Sequence, residues 1–215
     1  MGRARLLRIL PRSPRSPGDG DGERRSSLRE AAAPFLHELH QQTGMVVHLT
    51  VLDGPDVVDL DKVGGRFAAA IPSRVGGHAP AHCTAGGKAI LAWIAPERVD
   101  ALFGSVLSRS TENTITDINV LHQELSRIRR RRGVAFERGE SAHGVACIAA
   151  AVRGYEEPVG SIALCGNNKS VQLERLAPWS STRSVKFLDR CTPNRTIPVD
   201  HERRLPFLRP HSPRR

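Results

Sequence analysis

Between Gly76 and Trp93 the chain reads GGHAPAHCTAGGKAILAW, which gathers two imidazoles, a thiol, a hydroxyl, an amine and two glycine pairs into one short stretch. Gly86 and Gly87 permit a tight turn free of side chains. Lys88 to Trp93 then reads as the start of a short helix, with Ile90, Leu91 and Ile94 turned inward. The first amides of a helix lack internal partners and carry the positive end of its dipole, so the chemistry expected here is the cradling of a carboxylate or other small anion. The same residues also suit a glycine turn that only lets a helix pack on a sheet, and both possibilities stand. Two phosphate loops are excluded. A Walker loop needs a hydroxyl after its lysine and a glycine five positions before the Gly-Lys glycine, where Ala89 and His82 stand, and no three-glycine dinucleotide fingerprint is present.

Cys83 at a helix start could have a lowered pKa and act as a nucleophile, with His82 or His143 as base. Neighbouring residues on a strand point opposite ways, however, and no third orienting group can be named. The Gly-x-Ser-x-Gly elbow is also absent, the chain reading Gly139-Glu-Ser-Ala-His143. An enzyme is therefore not expected. Cys147 and Cys165 could face one pocket from paired strands as a redox or metal sensor, against the commoner role of buried cysteines as small hydrophobes. The four cysteines (Cys83, Cys147, Cys165, Cys191) include no Cys-x-x-Cys pair, which points to reduced thiols rather than a zinc site or a disulfide framework. His37 and His40 lie one helical turn apart with no third ligand and read as solvent-facing. Asp53, Asp56, Asp59 and Asp61 miss the calcium-loop spacing and read as turn and solvent-face acids. Arg129 to Arg132 could clamp phosphate, but cations at a helix C-terminus gain roughly 0.3 to 1 kcal/mol each from the dipole and read as a solvated helix end. No metal site and no cofactor are expected.

The positive charge lies outside the part expected to fold. Residues 30–178 hold 15 Lys and Arg against 16 Asp and Glu, while residues 1–29 hold 8 against 3 and residues 179–215 hold 9 against 3. With only 4% aromatic residues, a nucleic-acid groove has little support, although a basic nucleic-acid-binding protein acting through its Arg-rich tails remains an alternative. No apolar run is long enough to span a membrane, and the N-terminal segment is too short for a signal-peptide core. A cytoplasmic protein is expected.

The elements that must position these groups fall in one stretch. Residues 1–29 and 179–215 are rich in Arg, Pro and Ser without sustained periodicity, and disordered basic tails are expected there. Within 30–178, Ala31 to Gln42 predicts a helix opening near Pro34, and Met45–Leu52 and Val57–Val63 predict a hairpin turning at Asp53-Gly54-Pro55. Helices are expected from Pro96 and after a cap at Thr116 or Asp117, with Leu121, Leu125 and Ile128 as the buried stripe. Strands follow at Val134–Phe136, Val145–Val152 and Val159–Cys165, and a closing helix at Val171–Leu176. Three to five antiparallel strands with flanking helices make one α+β domain.

These segments jointly resemble the C-terminal effector-binding domain of the IclR-type bacterial transcription regulators. The resemblance is carried by the helix and Thr-Gly at Pro34–Gly44, the hairpin at Val51–Val63, the stretch Gly77–Ala89, Thr114-Ile115-Thr116 with the Arg-rich helix, and Gly144–Ala150. It implies a GAF-like sheet that binds a small organic-acid metabolite and works as a homodimer or homotetramer, reaching specific DNA only through an N-terminal winged helix that this chain lacks. Position by position it implies a pocket lined by Ala68, Ile71, Ala85, Gly86, Glu137, Val145, Cys147, Ala163 and Cys165. The family usually has a bulkier residue at Gly86, proline at Ala151 and hydroxyls at Ala163 and Cys165. Loss of the hydroxyls predicts an effector more apolar than a two- or three-carbon oxoacid, such as an aromatic or longer-chain acid. Both tails read as out-of-frame or truncated sequence, which the neighbouring reading frames would test.

Overall fold

The run Val145-Ala-Cys-Ile-Ala-Ala-Ala-Val152 offers no polar side chain to either face, and it forms a strand buried on both sides, near the centre of a six-stranded antiparallel sheet. This computed structural model describes residues 20–154 and 157–169. The tails at 1–19 and 179–215 and the closing helix expected at Val171–Leu176 lie outside the described residues. In chain order the elements are α1 (Gly20–Thr43), β1 (Val46–Asp53), β2 (Asp56–Val63), β3 (His78–Pro80), α2 (Ala85–Leu91), α3 (Pro96–Phe103), α4 (Ile118–Arg130), β4 (Val134–Arg138), β5 (Val145–Arg153) and β6 (Pro158–Asn167). The strands are ordered β3-β2-β1-β6-β5-β4.

Successive side chains of a strand face opposite sides, and each side here has its own core. Val47, Leu49, Ile148 and Leu164 meet Ala32, Phe35, Leu36 and Leu39 of α1. Val46, Ala149 and Ala163 meet Ala85, Ala89 and Ile90 of α2, backed by Leu121, Leu125 and Ile128 of α4. The α+β expectation holds, with an antiparallel sheet and flanking helices. Local signals were reliable where the chain supplies its own partner. Asp117 caps α4, its Oδ1 accepting from the amides of Asn119 and Val120 at 2.8 and 3.0 Å. Gly54 takes a positive φ of 58° in the β1–β2 turn.

Four expectations are corrected. Residues 20–29, assigned by composition to a disordered tail, are the first turns of α1, and Pro34 sits inside that helix rather than at its opening. These turns are held from outside: Arg25 pairs with Asp53 and Arg29 with Asp61 on the β1–β2 hairpin, and Leu28 packs on the core. The sheet has six strands rather than three to five, because the three residues of β3 pair with β2 without a hydrophobic pattern of their own. His40 is half-buried, donating from Nδ1 to the Met45 carbonyl at 2.7 Å where α1 turns into β1.

The fourth correction concerns the glycine pair. Gly86 and Gly87 are not a turn but lie inside α2, and neither has a positive φ. A Cβ at Gly86 would stand 2.8 Å from Ser161 Oγ and 2.9 Å from Thr50 Oγ1, and one at Gly87 only 2.2 Å from the Ala81 carbonyl oxygen. The pair therefore sets how closely the helix approaches the sheet. Gly87→Ala is expected to destabilise the chain by about 3 kcal/mol through overpacking. Gly22→Ala, with open space around it, should be neutral or stabilising by up to about 1 kcal/mol. Urea denaturation of both variants checks this, and equal effects would refute the close-approach role.

Candidate functional site

Thr84 begins the site by capping α2. Its Oγ1 accepts from the Gly87 amide at 3.0 Å and its carbonyl from the Lys88 amide at 3.0 Å. Ala85 and Gly86 precede the first of these bonds and face a cavity of about 120 Å³ between α2 and the sheet. One turn on, Lys88 is 1% exposed and donates to both oxygens of Glu140 at 2.5 and 2.7 Å. A charge this deep needs a hydrogen-bonded partner, and the pair ties α2 to the loop between β4 and β5. The same loop is held by Thr111, whose Oγ1 donates to the Gly139 carbonyl at 2.5 Å, and by Thr114, whose Oγ1 donates to the Glu140 carbonyl at 2.7 Å.

That loop in turn fixes Glu137, which lies on β4 and is fully buried. Its Oε1 accepts from the amides of Glu140 and Ser141 at 2.6 and 3.1 Å, while its Oε2 is buried without a partner. Glu137 lines the cavity. Burial pushes its carboxyl up to about 7, against the pull of the two amides. Near neutral pH a large fraction of Glu137 is therefore protonated. With Oε1 occupied as an acceptor, the unpartnered oxygen is the one left to carry the proton as an O–H donor.

The opposite end of the cavity is built by β1, β2 and the segment after Ile71. His48 Nε2 lies 2.9 Å from Ser73 Oγ. Lys62 Nζ donates to the carbonyls of Ile71 and Ser73 at 3.1 and 2.8 Å, anchoring that segment. Burial, reinforced by the Lys62 charge, pushes His48 down to about 4. Burial pushes Asp59 up to about 7 despite Lys62. His48 and Glu137 stand three strands apart, roughly 14 Å at the backbone. Between them the floor is Ala163, Cys165, Cys147 and Val145, and the hydroxyls of Thr50 and Ser161 pair at 2.6 Å beneath Gly86. The half-buried Ser73, Ser141 and Ala142 and the exposed Pro72 mark where the cavity meets solvent.

Of the nine residues implied by the resemblance, Ile71, Ala85, Gly86, Glu137, Val145, Cys147, Ala163 and Cys165 surround this cavity, and Ala68 does not. Ala68 lies on the short 3-10 turn Arg66–Ala70, packed against the core. Sequence reasoning missed His48, Ser73 and Asp59. Asp59 is corrected from a solvent-face acid to a cavity residue, a placement that only strand register supplies. The expectation of reduced thiols is corrected as well, since Cys147 and Cys165 form a disulfide. Cys83 is fully buried with its Sγ donating to the Pro80 carbonyl at 3.4 Å, and burial pushes its thiol up to about 11 rather than down. It does not line the cavity, and His82 is turned to the Ser108 carbonyl at 2.9 Å. Arg129 to Arg132 close α4, with Arg129 donating to the Ala92 carbonyl and Arg131 to Glu124. Among the described residues no group of three or more His, Cys, Asp or Glu could hold a metal, and no helix is long and apolar enough to cross a membrane.

Residues 24–180 match the family described as bacterial transcriptional regulator IclR C-terminal. Over 133 residues the chain is 43% identical to the HTH-type transcriptional regulator Rv1719 of Mycobacterium tuberculosis, a match covering 61% of this chain and 50% of that one. The chain spans about half the length of the curated relatives it matches. The crystal structure of the Thermotoga maritima IclR superposes with a TM-score of 0.69 at 29% identity, over 76% of this chain and 67% of that one. An IclR homologue from Microbacterium hydrocarbonoxydans, crystallised with 4-hydroxybenzoate, shares the fold with a TM-score of 0.73 at 21% identity, over 80% of this chain and 71% of that one.

The Glu137 carboxyl gives a pH signature. Its folded pKa of about 7 lies above the ordinary 4.5. Between these values the unfolded chain loses the proton and the folded chain keeps it, so the contribution to stability is complete below pH 4.5 and lost by about pH 7. The loss amounts to about 3 kcal/mol at most, at 1.36 kcal/mol per pH unit. Glu137→Gln keeps the Oε1 acceptor without the titration. Its stability relative to the native chain should rise between pH 4.5 and 7 and then level off in urea titrations, and parallel profiles would exclude a buried neutral Glu137.

Proposed function

This chain belongs to the IclR family of bacterial transcriptional regulators, whose C-terminal domain it carries, and from that premise we propose that its cavity receives a small organic acid as effector. Glu137, which lines a largely apolar cavity and keeps its Oε2 buried without a partner, is the observation on which this function stands. A buried polar atom left without a partner costs about 1–3 kcal/mol, and a ligand oxygen placed against it removes that cost. An apolar cavity of about 150 Å³ holds one benzene ring, so a volume of about 120 Å³ suits a single ring or a short aliphatic chain. His48 and Ser73 at the far end supply a place for a second polar group, such as a ring hydroxyl. Methyl and disulfide surfaces at Ala163, Val145, Cys147 and Cys165 favour an aromatic or longer-chain acid over a two- or three-carbon oxoacid.

The acid is bound rather than turned over. Among the described residues no carboxylate bonds His48 Nδ1, and a histidine held near 4 is a weak base for a serine proton at neutral pH. In this function occupancy is passed, through a homodimer or homotetramer, to a winged helix that the described domain does not contain.

Among the described residues no Lys or Arg lines the cavity, whereas Asp59 and Glu137 do. An anionic ligand therefore binds best when Glu137 carries its proton, and its affinity should fall about tenfold per pH unit above about 7. In a thermal-shift panel at pH 6, 4-hydroxybenzoate or benzoate at 100 times Kd should add about 2.7 kcal/mol of stability. The gain should shrink at pH 8, and Glu137→Gln should weaken this dependence, leaving the part due to Asp59. Stabilisation by pyruvate or glyoxylate with none from the aromatic acids would overturn the proposed effector class.

A further inference from the structure

Cys147 on β5 and Cys165 on β6 are direct cross-strand partners with Cα atoms 4.2 Å apart, joined as a disulfide. This bond adds nothing to the topology, because β5 and β6 are already paired continuously from Val145 and Asn167 to Val152 and Gly160. Its position is what distinguishes it. Both residues are under a tenth exposed, yet both form the cavity floor in one cross-strand row with Glu137. Cys83, also buried, does not line this cavity.

We propose that Cys147 and Cys165 form a reversible thiol–disulfide site, reached through the cavity by small hydroperoxides, whose redox state sets the shape and donors of the effector site. The chemistry balances with hydrogen peroxide as oxidant. One thiolate attacks a peroxide oxygen: an S–O bond forms, the O–O bond breaks, and the departing hydroxide takes up the thiol's proton as water. The second sulfur then attacks the sulfenic sulfur, forming S–S and releasing the oxygen as a second water with the second thiol's proton. The cysteines lose two electrons and two protons, and a small dithiol reverses the change by thiol–disulfide exchange. Reduction separates the sulfurs and supplies two weak S–H donors beneath the ligand, and oxidation removes both. The coupling to ligand rests on the cavity being the effector site, whereas the redox chemistry does not.

The test uses the full chain, reduced with dithiothreitol and treated with hydrogen peroxide, with each cysteine followed by differential alkylation and peptide mapping. A linked Cys147–Cys165 peptide should form in the folded chain and revert with dithiothreitol, while Cys83 stays unmodified until denaturation. The bulky disulfide 5,5′-dithiobis(2-nitrobenzoate) should fail to modify the pair in the folded chain. Cys147→Ser and Cys165→Ser, which cannot complete the bond, should each stop at a dimedone-reactive sulfenic acid. Affinity for 4-hydroxybenzoate should differ at least tenfold between the two states and, by linkage, shift the midpoint of the couple by about 30 mV. Failure of the linked peptide to form without unfolding, or modification by the bulky reagent as fast as by peroxide, overturns the site. Equal affinity in both states overturns the coupling. Absence of any binding from the acid panel, with reversible linkage intact, refutes the effector class and leaves the redox site standing.

Discussion

The distance between α2 and the sheet is the constraint on which the rest of this domain depends. Gly86 lies against the Thr50–Ser161 hydroxyl pair and Gly87 against the Ala81 backbone, so the helix descends as far as backbone contact permits. Lys88, one residue further, is carried inside with it, and Glu140 is the carboxylate that pairs with its buried charge. Replacement of such pairs by apolar side chains is often neutral for stability, so the value of this one is positional. It brings the β4–β5 loop over the helix, and the amides of Glu140 and Ser141 in that loop hold Glu137 Oε1. Helix approach, ion pair, loop and carboxyl thus form one dependent series ending at the cavity.

The cavity is polar at both ends, and its titratable groups are shifted toward their neutral forms. Desolvation is the leading influence on each titratable group facing it, raising Glu137 and Asp59 and lowering His48. All three shifts favour the neutral form, as expected where water has been excluded from small enclosed walls. A site of this kind recognises ligands by hydrogen bonding and shape rather than by opposite charge, and it exchanges a proton whenever an anion enters. The Cys147–Cys165 pair in the floor extends the same character, since thiols and disulfide alike are uncharged and differ in donors and geometry.

Much of the fold was legible in the residues themselves. The Asp53-Gly54-Pro55 turn, the Asp117 cap, the Leu121, Leu125 and Ile128 stripe and the apolar run of β5 are each complete within a few positions, because caps, turns and periodicity act over one or two turns of chain. The glycine stretch was legible as a place of close approach but not as a helix interior, since a glycine needed for space and one needed for positive φ look alike in sequence. The first turns of α1 were misassigned because the charges that hold them belong to Asp53 and Asp61 on a different element.

By itself, the sequence determined most of the elements and their class, and its family resemblance pointed to eight of the residues that surround the cavity. Tertiary structure alone decided which distant groups would meet. Lys88 and Glu140 are 52 positions apart and Thr50 and Ser161 are 111 apart, and Asp59 and His48 reach the cavity only because strand register turns them inward. A hydrogen bond, an ion pair or a disulfide acts over a few ångströms in space, and separation along the chain carries no record of that distance until the sheet has set it.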